Sequence, residues 1–277
     1  MKKIVWLILF LIPISLFSQE MNIITFNIRY NTPNDGENAW PNRKEMVSDL
    51  LRFHDADIFG LQEALHGQIL DVKNNLTEYE WFGVGRDDGK KAGEFSPIFY
   101  KKSKFKLKDH GTFWLSETPE KPSTGWDAAL NRIVTWGIFE SKETGKTFMV
   151  FNTHFDHVGV EARKNSATLI RKKIEEMVPA GTPVILTGDF NLTPDQEPIK
   201  MLNEYLDDSR EATKEPPYGP FGTYNGFNLN ADLSSRRIDY IFVKGSIRVL
   251  KYAALSEIKD NRFPSDHLPV FAKIKLN

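Results

Sequence analysis

An apolar run, Val184 to Leu186, ends in Thr187-Gly188-Asp189-Phe190-Asn191, which places a carboxylate and a carboxamide two residues apart. In extended backbone such residues project to the same side. Asp189 and Asn191 are therefore predicted to face one bound group with an acceptor and an amide, Gly188 allowing a tight turn as the strand stops. Other apolar runs end the same way: MNIITF in Asn27, IFGLQ in Glu63 and FMVFNT in His154. Asp239 opens the strand-like DYIFV, and Ser265-Asp266-His267 precedes the last apolar stretch. That Ser-Asp-His run is not a nucleophilic triad, because adjacent residues cannot present nucleophile and base to each other. Singly, an Asp at a strand end is commonly a turn or cap, and an Asp-His pair a surface turn. Their joint occurrence at successive strand ends points to a site.

The elements that position these residues read as two echoing halves. In the first, MNIITFNIRY is followed by an amphipathic helix over 44–53, with Met46, Val47, Leu50 and Leu51 on one face, and then by DADIFGLQEA. In the second, TFMVFNTHFDH is followed by a helix over 161–178, with Ala167, Ile170, Ile174 and Met177 on one face, and then by PVILTGDFN. A strand apolar along its whole length is covered on both faces, so its last residue is held rigidly at the rim of the core, where polar groups can be aimed without burial unpaired. Two sheets are expected to converge their strand ends on one place.

Composition narrows the class. The 277 residues are 40% hydrophobic and 12% aromatic, enough for one catalytic-sized α/β domain. Residues 1–19 open with Lys2 and Lys3, run apolar from Ile4 to Leu11 and close on small or polar residues after Pro13, the layout of a cleaved secretory signal peptide. The domain is expected to span 20–277, in the periplasm or secreted, as a monomer with no stable membrane insertion once the leader is removed. No cysteine occurs, which excludes disulfides and a lipid-modified cysteine. Loss of Lys2 and Lys3 leaves 34 basic against 37 acidic residues, a net charge of −3 that gives little support to non-specific polyanion binding. The basic and aromatic stretch from Lys90 to Lys108 reads as a lysine-protected edge strand and hairpin, the alternative being a lining for a phosphate-bearing ligand. His54 reads as a helix C-terminal cap, His66 and His110 as ordinary polar positions, and His157 as a rim contact.

In this order and over essentially the whole mature chain, FNIR (26–29), LQE (61–63), NTH (152–154), GDFN (188–191), RIDYIF (237–242) and SDHLPV (265–270) resemble the motifs of the endonuclease/exonuclease/phosphatase superfamily of metal-dependent phosphoesterases. The resemblance implies a four-layered α/β sandwich, two mixed β-sheets packed face to face with outer helices and a site at one edge. It implies Glu63 as principal ligand of a catalytic Mg2+, with Mn2+ as a substitute, and Asn27 and Asp266 as further ligands or their supports. It also implies catalytic roles for Asp189, Asn191 and Asp239, and phosphate contacts from His154 and His267. Arg132, at the entry to an apolar strand, either faces the phosphate as in some relatives or forms a surface ion pair.

The chemistry asks for these residue types. A phosphate ester resists attack because its oxygens are already negative, so a catalyst must neutralise the charge that grows on a phosphoryl oxygen and on the leaving oxygen. Magnesium with one or two carboxylates does the first, Asp189 is expected to orient and deprotonate water, and Asn191 to hold the phosphate or the base. His267 is expected to donate to a phosphoryl oxygen with Asp266 fixing its tautomer, and His154 to donate from the opposite side. The family includes nucleases, inositol-phosphate phosphatases, sphingomyelinases and deadenylases on one site. Net charge, the export signal and the lack of a long basic arm favour a small, sugar-phosphate or lipid-headgroup ester over nucleic acid. An extracellular nuclease is the alternative, and a catalytically inactive ligand-binding member is third. The aromatic loops Trp114–Trp126 and Pro216–Phe227 would wall the site or pack as loop cores.

Overall fold

The computed structural model describes residues 18–277, so the predicted leader lies outside the described residues except for Ser18 and Gln19. In chain order the elements are β1 (Gln19–Asn27), α1 (Lys44–Phe53), β2 (Ile58–Gln62), α2 (His66–Asn75), β3 (Tyr79–Phe82), β4 (Ile98–Lys101), β5 (Phe105–Trp114), β6 (Ile133–Ser141), β7 (Thr147–His154), α3 (Val160–Met177), β8 (Val184–Asp189), α4 (Glu197–Asn203), β9 (Asp207–Asp208), α5 (Ser209–Ala212), β10 (Asp239–Lys244), β11 (Ile247–Ala254) and β12 (Val270–Leu276). They form two six-stranded sheets, ordered β11-β12-β1-β2-β4-β3 and β5-β6-β7-β8-β10-β9. Each sheet is mixed: β1 pairs parallel with β2 and β7 with β8, and their other neighbours run antiparallel. The two strand-helix-strand halves are thus the parallel centres of the two sheets, each crossing over through its helix.

Alternation along the strands sorts the core into three clusters. Ile24, Phe26, Phe59 and Leu61 face outward with Val47 and Leu51 of α1 and Ile69 and Val72 of α2. Met149, Phe151, Val184 and Leu186 face outward with Ala167, Ile170 and Ile174 of α3 and Ile199 of α4. Between the sheets lie Met21, Ile23, Ile58, Phe148, Val150, Ile185, Ile241, Val243, Val270 and Ala272. The result is four layers, helix, sheet, sheet, helix.

The same parity positions the site. Two residues beyond Ile23, Ile58, Val150 and Ile185, the inward positions hold Thr25, Gly60, Asn152 and Thr187. Two further on they hold Asn27, Gln62, His154 and Asp189, while β10 runs the other way from Asp239 to Ile241. The central layer therefore grades from hydrocarbon, through neutral polar groups, to charge. The neutral shelf is cross-linked: Gln62 Nε2 donates to Asn152 Oδ1 at 2.7 Å and Thr25 Oγ1 at 3.0 Å, Thr187 Oγ1 donates to Asn152 Oδ1 at 3.0 Å, and Asn152 Nδ2 donates to the carbonyls of Leu61 and Pro97, while the buried Gln62 Oε1 has no partner among the described residues. Gly60 makes room for it, since a Cβ there would meet Asn152 Oδ1 at 2.4 Å.

Two local expectations are corrected. Gly188 is not a turn residue: it lies within β8, and its missing side chain lets β7 pass, because a Cβ would stand 2.5 Å from the Thr153 carbonyl oxygen. The Lys90–Lys108 stretch is not one hairpin: 90–97 is loop, β4 pairs in the first sheet, and β5 is the edge of the second.

Candidate active site

The charged end of the central layer opens into a cavity of about 440 Å3 whose lining includes Glu63, Arg132, His154, Asp189, Asn191, Asp266 and His267. Sheet register fixes its floor, because His154, Asp189 and Asp239 lie directly across from one another on β7, β8 and β10. Asp189 Oδ2 accepts from Asn27 Nδ2 at 2.9 Å and Oδ1 from the Asn191 backbone at 2.9 Å. Burial, and then the charge of Asp239, push its carboxyl up to about 7, against the opposing pull of His267.

His267 is the counterpart. Its Nδ1–H donates to Asp239 Oδ2 at 2.9 Å, and its Nε2 lies 3.7 Å from Asp189 Oδ2. Burial works against its charge, but the Asp239 and Asp189 carboxylates outweigh burial and hold the imidazole protonated well above its ordinary range. The expected tautomer partner is corrected here: Asp239 orients His267, while the adjacent Asp266 side chain turns away and accepts from Ser265 Oγ at 3.3 Å. The chain bends at 264–266, which turns Asp266 aside, whereas β10 presents Asp239 to the ring. Ser265 Oγ donates to the Asn27 carbonyl at 2.7 Å and is a tie between loops.

Asn191 does not reach its place by extended spacing. It adopts φ +51°, and that left-handed turn brings Nδ2 to His154 Nε2 at 3.1 Å and the Phe155 carbonyl at 3.1 Å. His154 is held neutral by burial and by the nearby Arg132 and Arg86, and its buried Nδ1 has no hydrogen-bond partner among the described residues. Glu94 Oε2, which takes a hydrogen bond from Arg86 Nη1 at 2.6 Å, stands 3.9 Å from that nitrogen. Sequence reasoning missed Arg86 and Glu94, which sit in a loop with no strand period to mark them.

Arg132 is no surface ion pair. It is buried, with Nε 3.4 Å from Asp156 Oδ2, Nη2 3.1 Å from His157 Nδ1, and Nη1 without a partner among the described residues. The Trp114–Trp126 loop before it supplies none of the residues lining the cavity, and Trp114 is buried with Nε1 on the Arg86 carbonyl. The second aromatic loop contributes Tyr224, whose ring meets the His267 ring edge-on at 5.1 Å. His54 caps α1 as expected and bonds Glu257 at 2.7 Å.

On the other flank, Glu63 leaves β2 at φ +58°; its Oε1 accepts from Asn27 Nδ2 at 3.0 Å and Oε2 from the Tyr30 backbone at 3.1 Å. Asn27 is fully buried beneath the cavity, and its Oδ1 takes the Arg29 N–H, so its amide aims Glu63 and Asp189 together. Burial, and then repulsion from Glu63, raise the Asp266 carboxyl. Two converging carboxylates of this kind fit a hard divalent cation. Asp189, Asp239 and His267 also bring ligand-type atoms within 4.8 Å of one another, a grouping that the proton on His267 already bridges.

The family model for the Endonuclease/Exonuclease/phosphatase family matches residues 24–267. The chain belongs to that family. Among solved family structures, a protein from Bacteroides thetaiotaomicron is 39% identical, with a TM-score of 0.90 over 94% of this chain and 99% of that one. A mannosyl-6-phosphatase from the same organism is 40% identical, with a TM-score of 0.87 over 92% of this chain and 99% of that one. The CCR4-Not 3'-5'-exoribonuclease subunit Ccr4 of Aspergillus niger is 24% identical over 85% of this chain, which spans 47% of that relative's length. The family's members are hydrolases of phosphoesters, and both expectations, family and four-layered fold, hold.

Proposed function

We propose that this chain is an exported, magnesium-dependent phosphoesterase whose substrate is a small phosphate ester, with sugar phosphates as the favoured class. The observation that carries the hydrolytic reading is the pairing, on one floor, of a carboxyl titrating near 7 (Asp189) with a neighbouring protonated imidazole (His267). Environments that push two groups apart in this way assign a base and an acid. The 40% identity to a mannosyl-6-phosphatase over nearly its whole length supports the substrate class, as does a cavity sized for one small ligand.

Glu63 and Asp266 would hold the cation, with Asn27 aiming Glu63; when bound it would neutralise charge on a phosphoryl oxygen. Asp189 orients a water and takes its proton. His267 donates Nε2–H to a phosphoryl oxygen while Asp239 fixes its ring. Asn191 holds neutral His154, and Arg132, which lines the cavity, donates to the same phosphate.

The test is a side-by-side assay of hexose phosphates, bis-p-nitrophenyl phosphate, a single-stranded oligonucleotide and plasmid DNA, with Asp189→Asn as blank and with EDTA followed by magnesium. Turnover of the small esters that chelation abolishes and magnesium restores is expected. Undiminished activity in chelator removes the metal, and salt-sensitive DNA cleavage with negligible turnover of every small ester moves the protein to the nuclease reading.

A further inference from the structure

Three guanidinium groups line the cavity, and two are anchored by side chains of the protein. Arg29 bonds both oxygens of Asp35 at 3.1 Å and lies 3.7 Å from Glu63, and Arg132 is held by Asp156 and His157. The third, Arg236, has no carboxylate or carbonyl hydrogen-bonded to its side chain among the described residues; its guanidinium lies over the Tyr224 ring, 4.1 Å from the centroid. A planar group stacked on an aromatic face keeps its in-plane N–H donors free for a ligand.

The shelf that carries this pair is rigid. Tyr224 bridges His267, the backbones of Asn225 and Gly226 donate to the Asp266 carbonyl at 2.8 and 3.0 Å, and Leu268 donates to the Thr223 carbonyl. Arg236 itself accepts from the Thr223 backbone at 3.2 Å, and the next residue, Arg237, is buried against Asp208 at 2.6 Å. Arg236 adopts φ +54°, a conformation disfavoured for a long side chain and retained where surroundings over-determine it. An idle surface arginine needs no such holding.

Charge indicates what the free donors meet. Three lining arginines face four lining carboxylates, Glu63, Glu94, Asp189 and Asp266, so the wall carries no excess of positive charge. A divalent cation then matches a single phosphate dianion, which leaves no electrostatic demand for a second anionic group. Neutral oxygens in pairs suit the remaining fork of donors.

Resting on the sugar-phosphate reading above, we infer that Arg236, set over the Tyr224 ring, is a specificity-determining residue that binds vicinal hydroxyls of the alcohol portion of the substrate. The phosphate meanwhile sits against His267 and Arg132. The test compares wild type, Arg236→Lys and Arg236→Met on a hexose 6-phosphate and on p-nitrophenyl phosphate, whose leaving group has no hydroxyls. The ratio of kcat/KM for the two substrates should fall about ten- to a hundredfold in Arg236→Met, through KM, with Lys intermediate. In the Asp189→Asn background, calorimetric titration with the hexose phosphate should show the same loss in Kd, and thermal melting checks the fold. A ratio within about twofold of wild type, whether both activities fall together or neither does, overturns the inference. A wild type that turns over p-nitrophenyl phosphate but no sugar phosphate instead overturns the substrate class.

Discussion

Asn27 donates one amide hydrogen to Glu63 and one to Asp189, so a single carboxamide sets the spacing between the expected cation holder and the expected base. Roles on its two sides should separate. Asp189→Asn should lower kcat about 10² to 10⁴-fold while substrate binding survives, and Glu63→Gln should first raise the magnesium concentration needed for half-activity. Metal titrations of both variants check this, and near-wild-type behaviour in both removes the assignment. The strand-end residues were legible because apolar runs that stop in carboxylates and amides are visible in one dimension. The partner of His267 was not. Asp239 lies 28 residues away, and only the pairing of β10 with β8 brings it under the ring. Asn191 was found for an inadequate reason: the extended spacing breaks at its left-handed turn, and that turn makes the contact with His154.

Between β7 and α3, Asp156 works as a knot. Its Oδ1 accepts from the backbones of Val158 and Gly159 at 2.9 and 2.7 Å, and its Oδ2 from those of Ala129 and Leu130, tying the segment that carries Arg132 to the end of β7. Burial opposes this charge, yet the backbone donors and Arg132 hold the carboxyl down at about 2. The unfolded value is the ordinary one, 3.8, so the folded value is depressed. The stability it contributes is complete above the unfolded value and is lost as pH falls towards and through about 2. Thermal melts from pH 5 down to 2 should show Asp156→Asn destabilised at pH 5, by about 1.5–3 kcal/mol, with the gap to wild type closing in acid. A gap that is constant with pH would contradict the role. The helices α1 and α3 were predicted almost to their ends from apolar spacing, but α2, as long as α1, was not, nor how α3 begins: Gly159 offers no capping side chain, and Asp127, 33 residues before Val160, accepts from Val160, Glu161 and Ala162 instead.

At the scale of the molecule, the two sheets meet through a polar shelf just before the site, and Gly60 is its tightest point. Gly60→Ala should cost about 1–3 kcal/mol by overpacking, and should depress kcat as the floor shifts against Glu63. An unchanged melting temperature with full activity would show that the shelf can yield. That the sheets pack face to face followed from the resemblance; what joins them did not, because Asn152 and Thr187 look like ordinary strand residues until the second sheet supplies their partners. Export carries its own test: mature protein should begin near Gln19 or Glu20, and an intact Met1 on exported material would contradict the leader. Gln19 pairs with Leu276 in the β1–β12 ladder. Since β1 enters the sandwich at Gln19 and delivers Asn27 to the floor eight residues later, the Gln19–Leu276 end of this ladder stands about 27 Å from the chemistry. The cavity and the paired ends thus occupy opposite poles. A surface attached through either end would face the back of the molecule and leave the cavity open to ligand. The two ends could equally be spliced by a short linker and the chain reopened at Gly145, in the exposed turn between β6 and β7, giving a circular permutant that should keep its catalytic pole intact.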